Sequence, residues 1–277
     1  TKKKKKKQQQ QQSGDSEAGM LLPADKLREA ARQLVERTRL GQERSPQVAK
    51  LQLEVALHLA RSVGRPGSAV LVFVSGMAEI VDLVDKFDAL NASQTNTGGG
   101  VTYKVVAIHS EVPDEEQAEA FKPSKDSREV KVIVATNAAE SSITVPDVDH
   151  VICLGVHKQV EYNCATHRTM LAGAWVSRAS AIQRAGRTGR TRPGTVYRLY
   201  SRMLFEEKME EYDSGEMGRQ PLDNVIVRLR AMLNTKVRTV GRYWMVQAPC
   251  FISRRRRHRR RHLRRLLLLP VCVFFSA

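Results

Sequence analysis

Residues 68–76 read SAVLVFVSG, an apolar and β-branched run without polar alternation. A strand wetted on one side alternates with a period of two, whereas an unbroken run suits a strand covered on both faces. Two covered faces require two layers of helix. The flanking sequence supplies helical periodicity on both sides. DKLREAARQLVERTRL and SPQVAKLQLEVALHLARSV precede the run, and MAEIVDLVDKFDAL follows it, with apolar residues three and four apart. Ser45-Pro46 predicts an N-cap with proline at the first helical position.

The alternation continues along the chain. TYKVVAIHS predicts a second strand and DEEQAEAF a helix. EVKVIVAT over residues 129–136 and DHVICLGV over 149–156 predict two more strands. SRASAIQRAGR predicts a helix that ends in a glycine-rich bend, and GTVYRLYS a fifth strand. Residues 91–100, polar and glycine-rich, read as a mobile insertion. Strand and helix in turn predict an α/β fold, a parallel sheet with helices on both faces. Ligands of such sheets sit at the carboxyl ends of the strands. Ser75-Gly76, His109-Ser110 and Thr136-Asn137 fall there.

A length of 277 residues accommodates one large domain or two small ones, and 42% hydrophobic residues suffice for a core. The net charge of +17 is mostly terminal. Lys2 to Lys7 and the nine arginines between residues 254 and 265 account for 15 of it, so the middle is close to neutral. Residues 1–18 are low in complexity and are expected to be disordered. Cys153, Cys164, Cys250 and Cys272 form no C-x-x-C pair and no zinc spacing, which favours a reducing compartment and no metal site. The chain opens on lysines and glutamines rather than an apolar signal. Its end, LLLLPVCVFFSA, is shorter than the roughly 20 residues that span a bilayer, so no membrane segment is expected.

AIQRAGRTGRTRPG, residues 181–194, concentrates charge. Arg184, Arg187 and Arg190 are three apart, a spacing that predicts one shared helix face. Gly186 and Gly189 permit close backbone approach. Arginine offers a planar fork of donors matched to phosphate oxygens. Gln183, one turn before Arg187, carries an amide able to orient a water. These are the parts an NTPase needs as charge develops on its γ-phosphate. A solvated basic helix end is the plainer alternative.

QRAGRTGR resembles motif VI of superfamily 2 helicases. WVSRASAIQRAGRTGRTRPGTVYRLYS is similar to the DEAH-box/RNA-helicase-A branch in particular. VLVFVSGMAEI is similar to motif IV, IHSEVPDEEQAEAF to the segment that follows it, and VIVATNAAESSITVPDVDHVICLG to motif V. The resemblance covers roughly residues 69–230 and implies the second RecA-like domain of a P-loop NTPase-type RNA helicase. By that resemblance Gln183 positions the attacking water, and Arg187 and Arg190 are arginine fingers. Arg184 has a supporting role, phosphate-side or structural. Phe121 stacks on the base and Asp147 lies near the ribose. Ser75, Gly76, His109, Ser110, Thr136 and Asn137 meet RNA. Other readings stay open: Phe121 as a core residue, His109 as a satisfied group at the sheet edge, and Glu140 as a helix cap or as a link between the two sites. Single-stranded RNA would be gripped through its backbone, with weak sequence preference.

No G-x-x-x-x-G-K-[ST] segment and no D-E-x-H box occur in the sequence. DEEQ at residues 114–117 follows a proline and opens a helix instead. The resemblance therefore implies ATP with Mg²⁺ whose ligands lie in a first RecA-like domain, supplied in cis or in trans. A catalytically inert RNA- or protein-binding module is the alternative. GEMGRQPLDNVIVRLRAMLN is similar to the start of a winged-helix region. The expected division is a tail over residues 1–21, the RecA-like domain over 22–210, a partial winged helix over 211–235 and an unassigned basic and apolar tail over 236–277. The resemblance leaves room for a protein cofactor. The arginine block has the character of a nuclear signal, so nucleus or cytoplasm is expected.

Overall fold

In a computed structural model, β1 (Ala69–Phe73) is buried at every position, as its unbroken apolar run requires. The structure describes residues 24–39, 44–95, 101–122, 128–141, 145, 148–163, 166, 168–189, 193–215, 219, 223–233 and 271–274. β1 is the third strand of a six-stranded sheet with order β2-β3-β1-β4-β7-β8. Its neighbours are β3 (Glu129–Ala135) and β4 (Val148–Cys153), both parallel to it. β2 (Thr102–Ile108) lies outside β3, and β7 (Thr195–Arg198) outside β4. β8 (Val271–Phe274) adds a further parallel strand beyond β7, inside a tail where no strand is expected from sequence. An apolar β-branched run can occupy the unpaired edge that β7 offers. The expectations for residues 1–21, and for the rest of 236–277, lie outside the described residues.

Alternate side chains of each strand enter separate cores, as a period of two demands. Val70, Val72, Val74, Val132 and Ile152 pack beneath Leu34, Leu53, Ile80 and Phe87. These belong to α1 (Ala24–Arg39), α2 (Pro46–Val63) and α3 (Met77–Thr95). On the opposite face Leu71, Phe73, Ile133, Val151 and Cys153 meet Ala120, Ala139, Ala181 and Leu204. That layer holds α4 (Asp114–Ala118) with a 3₁₀ turn (Glu119–Phe121), α5 (Ala138–Ser141) and α6 (Arg178–Ala185). Burying each such Val, Leu, Ile or Phe contributes about 1.5–3 kcal/mol.

Ser45 caps α2, accepting from the Val48 N–H at 3.3 Å, with Pro46 in the first turn. α3 runs to Thr95, five residues into the segment read as an insertion. The reason is Asn91, whose amide donates to Tyr103 O at 2.8 Å and accepts from Tyr103 N at 2.9 Å. These two hydrogen bonds satisfy the Tyr103 backbone near the start of β2 and hold the helix end beside it.

The sequence pattern also gives no sign of the antiparallel hairpin of β5 (Val156–Asn163) and β6 (Arg168–Trp175). Its strands are half-exposed, so their pattern is too mixed to read. Gly155 turns the chain from β4 into it with φ at 77°. A methyl there would strike the Tyr200 ring. A last helix, α7 (Asp223–Leu233), carries exposed Val227 and Met232. Among the described residues no helix is long and apolar enough to cross a membrane.

Candidate functional site

The strand register aligns the carboxyl ends. Ile108 is level with Ala135, Ala135 with Phe73, Phe73 with Cys153, and Cys153 with Arg198. Ser75-Gly76, His109-Ser110 and Thr136-Asn137 are thereby brought to one edge. Connections from β1 and β4 leave towards opposite sides, and a crevice opens at such a reversal.

Ser75 and Gly76 start α3. The Ser75 N–H donates to Glu79 Oε2 at 2.8 Å, and Gly76 O accepts from Glu79 N and Ile80 N. Lys158 of the hairpin runs over Gly76, and a Cβ at that glycine would lie 3.0 Å from Lys158 Cε. His109 is half-buried, and its Nδ1 accepts from the Glu111 N–H at 3.2 Å. Ser110 and Asn137 are exposed, whereas Thr136 is 5% exposed. The Thr136 N–H donates to Ile108 O, and its carbonyl accepts from Ala139 N. A cleft of about 330 Å³ beside this edge is lined by Asn137, Glu140, Lys158, Gln159, Asp213 and Arg219.

A polar network fastens the same edge from behind. Gln52 has no exposed surface. Its amide donates to Leu154 O at 2.9 Å and Leu199 O at 2.7 Å, the residues after β4 and β7. Its oxygen accepts from Arg44 Nε at 2.6 Å, and Arg44 pairs with Glu79. Thr38 of α1 likewise accepts from the Ser201 N–H at 2.9 Å. These links join residues far apart in the chain, and no sequence pattern announces them.

Arg184 and Arg187 do not share a helix face. α6 ends at Ala185 with Gly186 as its cap, so Arg187 belongs to the following turn. Arg184 is wholly buried and directed inwards. Its Nε donates to Glu140 Oε2 at 3.0 Å and one Nη to Val156 O at 3.2 Å, and its guanidinium stacks 5.0 Å from the Phe73 ring. Burial opposes the charge, and Cys153 and Glu140 outweigh it, raising the group above its ordinary pKa. Gln183, one residue earlier, is exposed. Arg187 is half-buried along a crevice lined by Ile108, Ala139, Val145 and Val148. Thr188 anchors the turn by donating to Val148 O and Asp149 O, at 2.6 and 3.0 Å. Gly189 has φ at 77°. Arg190 and Asp147 lie outside the described residues.

Glu140 is the residue whose place is most informative. Oε2 accepts from Ser180 Oγ at 2.7 Å and from Arg184 Nε at 3.0 Å, one turn apart on α6. The Glu140 N–H donates to Asn137 O at 3.0 Å. One short helix therefore joins the Asn137 turn to the helix that carries Gln183. Phe121, at the end of its 3₁₀ turn, is 43% exposed and is not a core residue.

The model of the family described as helicase conserved C-terminal domain matches residues 52–192. The chain is 38% identical over 180 residues to the ATP-dependent RNA helicase dhx29 of Xenopus laevis, covering 65% of this chain and 13% of the relative. It is 40% identical over 165 residues to the DExH-box ATP-dependent RNA helicase DExH4, chloroplastic, of Arabidopsis thaliana, covering 59% and 11%. The chain thus spans little more than a tenth of the length of these relatives. The crystal structure of the E. coli DExH-box NTPase HrpB matches with a TM-score of 0.54 and 25% identity, over 65% of this chain and 21% of that one.

Proposed function

Because the chain belongs to the helicase conserved C-terminal domain family, with DEAH-type relatives, we propose that it serves as the second RecA-like half of an ATP-dependent RNA helicase. Residues 22–210 make up that half, and residues 211–235 begin a winged-helix region. A first RecA-like domain, in cis or in trans, holds the triphosphate and its Mg²⁺. The described residues contain no cluster of His, Cys, Asp and Glu fit for a metal ion, and no step here runs through one.

Gln183, exposed on α6, orients the attacking water. Arg187 and Arg190 close on the γ-phosphate, and fixed charges at that position need no reorganisation when the barrier is crossed. Phe121 and Asp147 receive the base and ribose. Arg184 supports the finger turn from within. Ser75, Gly76, His109, Ser110 and Asn137 grip single-stranded RNA through its backbone, with Thr136 beneath them. The observation that carries this reading is the Glu140 carboxylate, which binds two residues of the Gln183 helix while its own N–H is bonded to Asn137, just before its helix. Motion of RNA against Asn137 is felt by the arginine turn through a single rigid link.

Without a phosphate-holding loop of its own, the 277-residue chain is expected not to hydrolyse ATP alone. In that state it acts as a binding module for RNA or protein, the second reading that the missing motif favours. RNA-stimulated ATP hydrolysis distinguishes the cases, measured on the chain alone and mixed with a separately produced first domain. Turnover only in the mixture supports the proposal. Turnover by the chain alone that vanishes in Arg187→Ala would place a phosphate site within these residues and overturn it.

A further inference from the structure

Lys131 stands in the middle of β3, between β2 and β1, and is 3% exposed. It shares the sheet face of Ile133 and Ala135, an apolar face. An ammonium buried there is costly unless acceptors surround it. Its Nζ donates to Ala120 O at 3.1 Å and also to Lys122 O. Those two carbonyls flank Phe121.

A second lysine works on the same four residues. Lys104 of β2 is the register partner of Lys131. Like charges side by side repel unless each has its own acceptor. Lys104 Nζ pairs with Glu119 Oε2 at 2.9 Å, and Lys122 pairs with the other oxygen of Glu119. The hydrogen bonds from Lys122 and Lys104 hold the Glu119 carboxyl down to about 2, so it stays ionised at neutral pH. Residues 119–122 are thus fastened at both ends and on both sides of Phe121, while Ala120 is fully buried and the Phe121 ring is left 43% exposed.

Ending a helix turn needs no such grip. One water or one surface lysine satisfies terminal carbonyls. An exposed aromatic ring on a backbone fixed from the sheet below is instead a surface whose ordering has been met in advance, and a partner stacking on it loses less freedom. We propose that Lys131, seconded by Lys104, is a positioning residue that presents the Phe121 ring as a fixed stacking surface for a nucleobase. The inference rests on the nucleotide-binding role proposed for Phe121.

The test uses the 277-residue chain assembled with a separately produced first domain, which holds the triphosphate, and 2-aminopurine riboside triphosphate, whose fluorescence is quenched by stacking on an aromatic ring. Inorganic tripolyphosphate, which lacks a base, is the competitor. The wild type is expected to quench the probe, and Phe121→Ala to abolish the quenching. Lys131→Met is expected to weaken probe binding roughly tenfold, the scale of one base–aromatic stack. Tripolyphosphate affinity should not change, a split that a general loss of structure would not give. Lys131→Arg, which keeps the donors, should recover most of the quenching. Hydrogen exchange of the amides of residues 119–122 should quicken in Lys131→Met while β1 and β3 stay protected. If Lys131→Met fails to fold, Lys104→Gln decides, since Lys104 is partly exposed and loosens the same stretch from the other side. Quenching lost in Phe121→Ala but retained in the lysine variants overturns the positioning role alone. A wild type that shows no quenching overturns the nucleotide reading of Phe121 and this inference with it.

Discussion

Glu140 and Arg184, 44 residues apart in sequence, are joined by a 3.0 Å ion pair whose arginine side chain has no exposed surface. Removing one partner strands a charge in the interior, which is far worse than never having had the pair. Arg184→Met is therefore expected to lower the unfolding free energy by on the order of 3 kcal/mol in urea titration. Adding Glu140→Gln to it should restore part of that loss. Additive losses in the double variant would show that the pair does not act as a unit.

Arg187, in the turn after α6, is half-buried. In the chain assembled with its first domain, Arg187→Ala should reduce RNA-stimulated turnover by roughly 10³ to 10⁵. A reduction of less than about tenfold would remove Arg187 from the finger role.

Gln52 is satisfied on both sides of its amide by groups from three separate places in the chain. Gln52→Leu fills the same space without donors and leaves two strand-end carbonyls bare. The expected loss is about 2–6 kcal/mol, since each of the two buried unsatisfied groups costs about 1–3 kcal/mol. RNA binding should weaken as well, because Leu154 and Leu199 define the edge. Equilibrium unfolding and fluorescence anisotropy with a labelled single strand measure the two effects.

His58 on α2 is buried, and that burial, helped by the nearby Arg61 charge, lowers its pKa below the ordinary value of about 6.5. Below that value the unfolded chain takes up the proton before the folded one does. Stability therefore falls as pH drops through 6.5 and is regained as pH rises. Thermal melts between pH 7.5 and 5.5 should show the decline, and His58→Gln should flatten it. An unchanged slope in that variant would assign the pH dependence to other groups.

The central strands were legible because each is long enough to be covered on both faces, and an unbroken apolar run has no other stable home. The edge that gathers Ser75, His109 and Asn137 followed from the parallel register alone. The burial of Arg184 was not legible, because three-residue spacing describes a helix that continues, and α6 stops at Ala185. Its acceptor also sits on another element. The β5–β6 hairpin escaped notice for a different reason. Met170 and Leu171 are adjacent and both exposed, which breaks the alternation that marks a half-wet strand. Lys131 reads as an ordinary surface lysine until the fold reveals which carbonyls it reaches.

The family pattern spans residues 52–192, yet the bonds that keep its working edge in register reach outside those limits at both ends. Thr38 and Arg44 precede it, and β7, Leu199 and Ser201 follow it. A fragment trimmed to the pattern would lose the sheet strands β7 and β8 together with two of the partners that satisfy Gln52. What recurs among relatives marks where chemistry is inherited. A piece that keeps these bonds is larger, and it begins with the helix that carries Thr38.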